Sequence, residues 1–169
     1  MASTTHLPDC KTFLKSSQKA GLVPVYRKII SDLDTPLTLF AKIAAKEDHI
    51  FLFESMEGGE KWGRYSFIGF DPLLTFSSKG SSINIESFDE SLSAHSITKG
   101  NPLEALQKIL EDCKAAENDD LPRFSGGAVG FLGYDMVRFM EDLPSSQQPL
   151  DFPDSSFMIP RIVLVHDSF

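Results

Sequence analysis

The amino-acid pattern predicts an α+β fold, mostly antiparallel β-sheet layers with two to four helices packed on the outside. Three observations carry this expectation. Apolar, β-prone runs follow one another across short turns, which suits hairpins and leaves no room for the helical crossover that a parallel pair needs. Segments with helical spacing and cap residues occur only at intervals, not after every strand. Phenylalanine dominates the aromatics, 14 Phe against 3 Tyr and 1 Trp, and its ring fills a core without a polar edge to satisfy.

Taken in order, residues Lys11 to Ala20 read as a short helix stopped by Gly21. Val23, Val25, Tyr26 and Ile29 make a first β-prone run, with Pro24 early enough for a strand start or an edge. Thr35 as N-cap and Pro36 at the first helical position open a second helix, whose Leu37, Phe40, Ile43 and Ala44 mark one apolar face. His49 to Ser55 reads as a strand buried on both faces with a polar exit. Met56 to Lys61 holds Gly58 and Gly59, a turn from which Tyr65 to Phe70 returns as the second arm of a hairpin. Leu73 to Phe76 and Ile83 to Phe88 then flank a turn at Ser77 to Ser82.

Asn101, Pro102 and Glu104 form an N-cap with a capping-box partner, and Leu103, Leu106, Ile109, Leu110 and Cys113 trace one helical face. Glu104 and Lys108 add an i,i+4 pair. An acidic linker spans Glu117 to Asp120, a glycine-rich stretch spans Gly126 to Gly133, and Tyr134 to Met140 has helical potential. A polar loop follows from Leu143 to Asp154, then a strong strand, Ile159 to Val165, that stops near Phe169 without a following turn or partner. Natural termini tend to be polar and loose, so this ending reads as a fragment or a domain cut at a boundary.

The chain has 169 residues, enough for one domain with a real core, and a single domain over the whole length is the expectation. With 41% hydrophobic and 24% charged residues it lies in the ordinary globular range. A formal net charge of -8 repels phosphate backbones and anionic lipid, which argues against nucleic acid and membrane as partners. No stretch approaches the roughly 20 apolar residues of a spanning helix, and the opening residues lack a signal-peptide core, so a cytoplasmic protein is expected.

Candidate chemistry is sparse. Cys10 and Cys113 stand far apart, and His6, His49, His95 and His166 are scattered, so no metal site or nucleophile with its base assembles locally. Gly126, Gly127, Gly130 and Gly133 fit neither the dinucleotide nor the phosphate-loop spacing; a bulge or close backbone approach is the structural alternative. Asp135, Glu141 and Asp142 read as a solvated face against a metal site. Arg64 can stack on Trp62, with ordinary packing as the alternative. Glu54 and Ser55 sit where an apolar strand stops and a glycine-bearing loop begins. A carboxylate there can meet an ammonium group, and a hydroxyl can bond a carboxylate, the two ends of an amino acid. A strand simply turning into solvent is the alternative.

The segment Leu52-Phe53-Glu54-Ser55 resembles the Leu-Leu-Glu-Ser motif of anthranilate synthase component I, and EGGEKWGRYSFIG, Glu57 to Gly69, resembles the family's continuation. Gly126 to Asp135 resembles its later GG-x-x-G-[YF]-x-GYD stretch, and Pro24-Val25-Tyr26 with Asp34-Thr35-Pro36 follows its opening. Phe53 departs from the usual Leu but keeps the apolar character.

The resemblance implies an enzyme converting chorismate to anthranilate and pyruvate with Mg2+ and with ammonia from a glutamine amidotransferase subunit. That chemistry belongs to a C-terminal chorismate-binding region whose signature is absent here, so this chain alone is expected to be inactive and to hold no cofactor. What remains is the N-terminal region, which in the family binds L-tryptophan as feedback inhibitor. Carried over, the inhibitor-binding residues are Leu52, Glu54 and Ser55; Arg64 joins them by hairpin geometry and not by motif. The large subunit of aminodeoxychorismate synthase and a stand-alone amino-acid sensor are the rival readings.

Overall fold

The computed structural model describes residues 5–54, 64–92, 97–143 and 151–168. Its first helix, α1 (Cys10–Ser17), begins where the Asp9 carboxylate accepts the Thr12 amide at 2.7 Å, a bond that also lowers the Asp9 pKa. Helix α2 (Pro36–Ala44) starts on a reciprocal box in which Thr38 N donates to Thr35 Oγ1 and Thr35 N to Thr38 Oγ1. Its apolar face is only half-buried, and Leu37 is exposed. The extended segment between these helices is not the strand that its β-propensity predicts. Tyr26 exchanges two backbone bonds with Leu7, and Leu22 pairs singly with Ala115. Each end therefore meets a different segment and Pro24 between them has no N–H to give, so no ladder builds.

Strand β1 (Ile50–Phe53) pairs antiparallel with β2 (Tyr65–Lys79) in the register Ile50↔Phe70 to Phe53↔Phe67, the expected hairpin. Residues 55–63, where the sequence predicts the connecting turn, lie outside the described residues. β1 is an edge strand with β2 as its neighbour; Phe53 is 50% exposed, so the strand is not buried on both faces. The two apolar runs expected as separate strands are one: β2 passes through Asp71, whose φ of 51° is left-handed, and then Pro72. Asp tolerates that conformation, and its carboxylate pairs with Arg161 at 3.4 Å.

Beyond this kink β2 pairs with β3 (Ser82–Ser87) around the two-residue turn Gly80-Ser81. Gly80, at φ 52°, supplies the positive dihedral that such a turn requires. Ser77 and Ser78, expected in the turn, lie in the strand because the Ser78 hydroxyl is buried and bonded to Ser155 at 2.7 Å. A 3-10 turn at Glu90–Leu92 leads to α3 (Pro102–Asp112), capped by the Asn101 side chain accepting Leu103 N at 3.0 Å. Its buried face runs through Pro102, Ala105 and Ile109, rotated from the predicted one, and Leu110 is exposed. Glu104 takes the Asn101 amide, and the i,i+4 contact is Gln107 to Glu111.

Strand β4 (Val129–Leu132) pairs antiparallel with β5 (Ser155–Asp167), and Tyr134–Phe139 between them is a 3-10 helix with Met136 buried. Two of the glycines have a steric cause: a Cβ on Gly130 would overlap the Ser156 carbonyl, and one on Gly133 would stand 2.8 Å from the Asp154 carbonyl. The hydrogen-bonded order is β1-β2-β5-β4, with β3 also on β2. β5 takes both its neighbours, β2 and β4, from earlier in the chain. It is also longer at its start, which reaches back to the buried polar residue Ser155. The α+β class holds, and the pairings β1·β2, β2·β3 and β4·β5 are all antiparallel.

The chain forms two compact units. The first comprises residues 1–71, 114–126 and 161–169, the second 72–113 and 127–160. The second holds a continuous core that includes Leu74, Phe76, Ile83, Ile109, Met136 and Ile159. In the first, Ile68 is the one fully buried large apolar side chain among the described residues, while Ile29, Ile30, Leu33 and Leu37 are exposed.

Candidate functional site

The predicted site lies in the first unit, where β1 ends. Side chains alternate across a strand and directly paired residues share a face, so the register divides β1 in two. Leu52 falls on the face of its partner Ile68, which is 0% exposed, and Glu54 follows in the same phase, beyond the last pair Phe53↔Phe67. Leu52 is half-buried and Glu54 exposed. A half-covered apolar side chain beside an open carboxylate can offer packing to a flat hydrophobic group and an acceptor to a cation. Ser55 and Trp62 lie outside the described residues.

The opposite face belongs to aromatic rings. Phe51 and Phe53 have centroids 5.0 Å apart, and Phe124 meets Phe51 and Phe53 at 6.3 Å and Phe67 at 5.3 Å, all edge-on. The Phe51 ring lies over Gly69, where a Cβ would overlap it. Phe124 has no motif of its own, and no signal in the sequence marks it.

Arg64 stands one residue before β2, in phase with Ser66 and Ile68, and so on the face of Leu52 and Glu54. Its guanidinium is held as a fork: Nε donates to Asp167 Oδ1 at 2.7 Å and Nη2 to Oδ2 at 2.6 Å. These bonds raise the Arg64 pKa further above its ordinary value. The guanidinium carbon also lies 4.8 Å from the centroid of the Tyr65 ring. Asp167 went unnoticed in the sequence because a residue 103 positions away leaves no local trace. Of the remaining candidates, Asp135 is paired with Arg138 at 3.0 Å. No helix among the described residues is long and apolar enough to cross a membrane.

No family model matches the chain. Known relatives do. It is 39% identical to anthranilate synthase component 1 of Acetivibrio thermocellus, over 87% of this chain and 29% of that protein. It is 40% identical to the same component of Cereibacter sphaeroides, over 85% of this chain and 29% of that protein. With the component of Acinetobacter calcoaceticus the identity is 34%, over 99% of this chain and 33% of that protein. The structure of anthranilate synthase component I from Streptococcus pneumoniae matches with a TM-score of 0.50 at 22% identity, covering 85% of this chain and 29% of that one, which supports the fold alone.

All four are the first component of a biosynthetic synthase. The chain is homologous to the N-terminal part of anthranilate synthase component I and spans about three-tenths of the length of the curated relatives it matches.

Proposed function

We propose that the chain is the N-terminal regulatory part of an anthranilate synthase large subunit, in which the end of β1 forms one wall of a tryptophan feedback site. The observation that carries this reading is the family match over nearly the whole chain, together with a motif that falls where an edge strand opens to solvent. In this reading Leu52 packs beside the indole, while Glu54 and Ser55 take the polar end of the amino acid, and Arg64 stands on the facing strand.

The whole enzyme would make anthranilate and pyruvate from chorismate in the cytoplasm, with ammonia from a glutamine amidotransferase subunit. Chorismate would be bound by a C-terminal region. Ile29, Ile30, Leu33 and Leu37, exposed on the first unit, support the need for such a covering partner. Mg2+ would supply charge neutralisation at chorismate. In this reading its site would lie in that C-terminal region.

Tryptophan lowers activity in this scheme by binding the less active of two conformations better than the other. A charge-assisted hydrogen bond contributes about 1.5 to 3 kcal/mol, so losing one weakens binding roughly 10- to 150-fold. Glu54→Ala and Ser55→Ala in the full-length enzyme should each give feedback resistance of that order with activity retained. Inhibition curves with tryptophan decide the matter: parental inhibition in both variants refutes the wall.

A further inference from the structure

We infer that Asp167 is a positioning residue for tryptophan inhibition, acting through Arg64; this rests on the wall proposed above. The β1–β2 register ends at Phe53↔Phe67. Continued one step, it sets Ser66 beside Glu54, so the start of β2 is the platform on which the polar end of the wall stands. That start is fastened from its other side. Ser168 N donates to the Arg64 carbonyl at 3.0 Å, and the Arg64 fork closes on Asp167 through bonds of 2.7 and 2.6 Å. One end of β5 thereby grips the residue that leads into β2 by both main chain and side chain.

The fork geometry matters because two parallel bonds fix orientation as well as distance, which a single point contact does not. Packing of the guanidinium on Tyr65 at 4.8 Å adds a third restraint. Two of the five guanidinium N–H donors are engaged by Asp167, which fixes the orientation in which Arg64 stands at the wall. With side chains 49% and 37% exposed, the pair contributes little to global stability. Its loss therefore leaves the fold in place and frees only the platform.

The test uses the full-length enzyme with ammonia as nitrogen donor. Asp167→Asn, Asp167→Glu, the exchange Arg64→Asp with Asp167→Arg, and Glu54→Ala are compared with the parent. The tryptophan concentration for half inhibition is measured beside kcat, the KM for chorismate and the thermal midpoint. Residues that modulate coupling without touching a ligand shift it about 2- to 30-fold. Asp167→Asn should raise the half-inhibiting concentration by that amount with kcat, KM and midpoint unchanged. Asp167→Glu and the exchange should recover most of the parental inhibition.

Parental inhibition in Asp167→Asn while Glu54→Ala is resistant overturns the inference and leaves the wall standing. Resistance in the exchange equal to that of Asp167→Asn overturns it too, since it makes Arg64 a direct ligand. A fall in kcat or midpoint parallel to the loss of inhibition reduces Asp167 to a folding role. Parental inhibition in Glu54→Ala overturns the wall and this inference together.

Discussion

The pair Ser78 and Ser155 offers a test of how the second unit is held together. Both residues lie inside, 3% and 0% exposed, with their hydroxyl oxygens 2.7 Å apart. Ser78 Oγ also has the Met136 sulfur at 3.8 Å. The arrangement that satisfies every donor is a chain in which Ser155 donates to Ser78 and Ser78 donates to the sulfur. Truncating Ser78 to Ala strands the Ser155 hydroxyl in a site water does not reach, at a cost of about 1 to 3 kcal/mol. Truncating Ser155 leaves Ser78 its weak sulfur acceptor, so that loss should be smaller, about 0.5 to 1.5 kcal/mol. Removing both hydroxyls strands nothing, and the double variant should stay within about 1 kcal/mol of the parent. The coupling is then about 1 to 3 kcal/mol in favour of the double variant over the summed singles. Urea unfolding followed by two independent probes measures it, coincidence of the probes licensing two-state treatment. Each kcal/mol moves the thermal midpoint roughly 2 to 4 °C for a chain of this size. Additive singles, or a Ser155→Ala costlier than Ser78→Ala, would refute the proposed direction of the chain.

Gly130→Ala should cost about 3 kcal/mol or more, because the new methyl meets the Ser156 carbonyl and the Phe157 Cα, both backbone. Gly126→Ala, with nothing within 4 Å, should stay within about 0.5 kcal/mol, and equal thermal shifts for the two would sink the argument. Burial pushes the Cys113 thiol up, with Asp112 adding to it, so the folded chain keeps that proton longer than the unfolded chain does. The resulting stabilisation is full below the usual thiol value and is lost as pH rises through the raised one. A disulfide reagent in mildly alkaline buffer should label exposed Cys10 at once and buried Cys113 only on unfolding; equal labelling rates would contradict this.

Helices α2 and α3 were legible because their starts are local chemistry: Thr35 with Pro36, and Asn101 with Pro102, carry cap and first turn within two residues. The β1–β2 hairpin was legible for a similar reason, two apolar runs joined by a short polar stretch. Segments whose state depends on a distant partner were not. Val23 to Ile29 has strand propensity but no neighbour to make a ladder with, and propensity alone supplies none. Ser77 and Ser78 look like turn residues until Ser155, 77 positions beyond Ser78, is brought to bond one of them. At the candidate site the same division holds. Leu52, Glu54 and Ser55 were named as candidates by motif, whereas Asp167 and Phe124 reach Arg64 and the Phe51–Phe53 pair only through the fold.

The two faces of β1 explain how a family mark tolerates a departure at its second position. Phe53 points away from Leu52 and Glu54, into the rings of Phe51 at 5.0 Å and Phe124 at 6.3 Å. An aromatic contact of this kind is worth about 0.5 to 1.5 kcal/mol beyond its area, so the ring at 53 answers to Phe124 and not to anything held by the wall. The even positions carry a different constraint. Leu52 pairs with buried Ile68 and stays half-buried, and Glu54 stands beyond the ladder with its carboxylate exposed. The odd positions Phe51 and Phe53 are therefore set by the aromatic cluster, and the even ones are left for the ligand that the proposed wall would hold. On the function proposed above, a substitution at Phe53 would therefore report on the packing of β1 and one at Glu54, just beyond its end, on feedback.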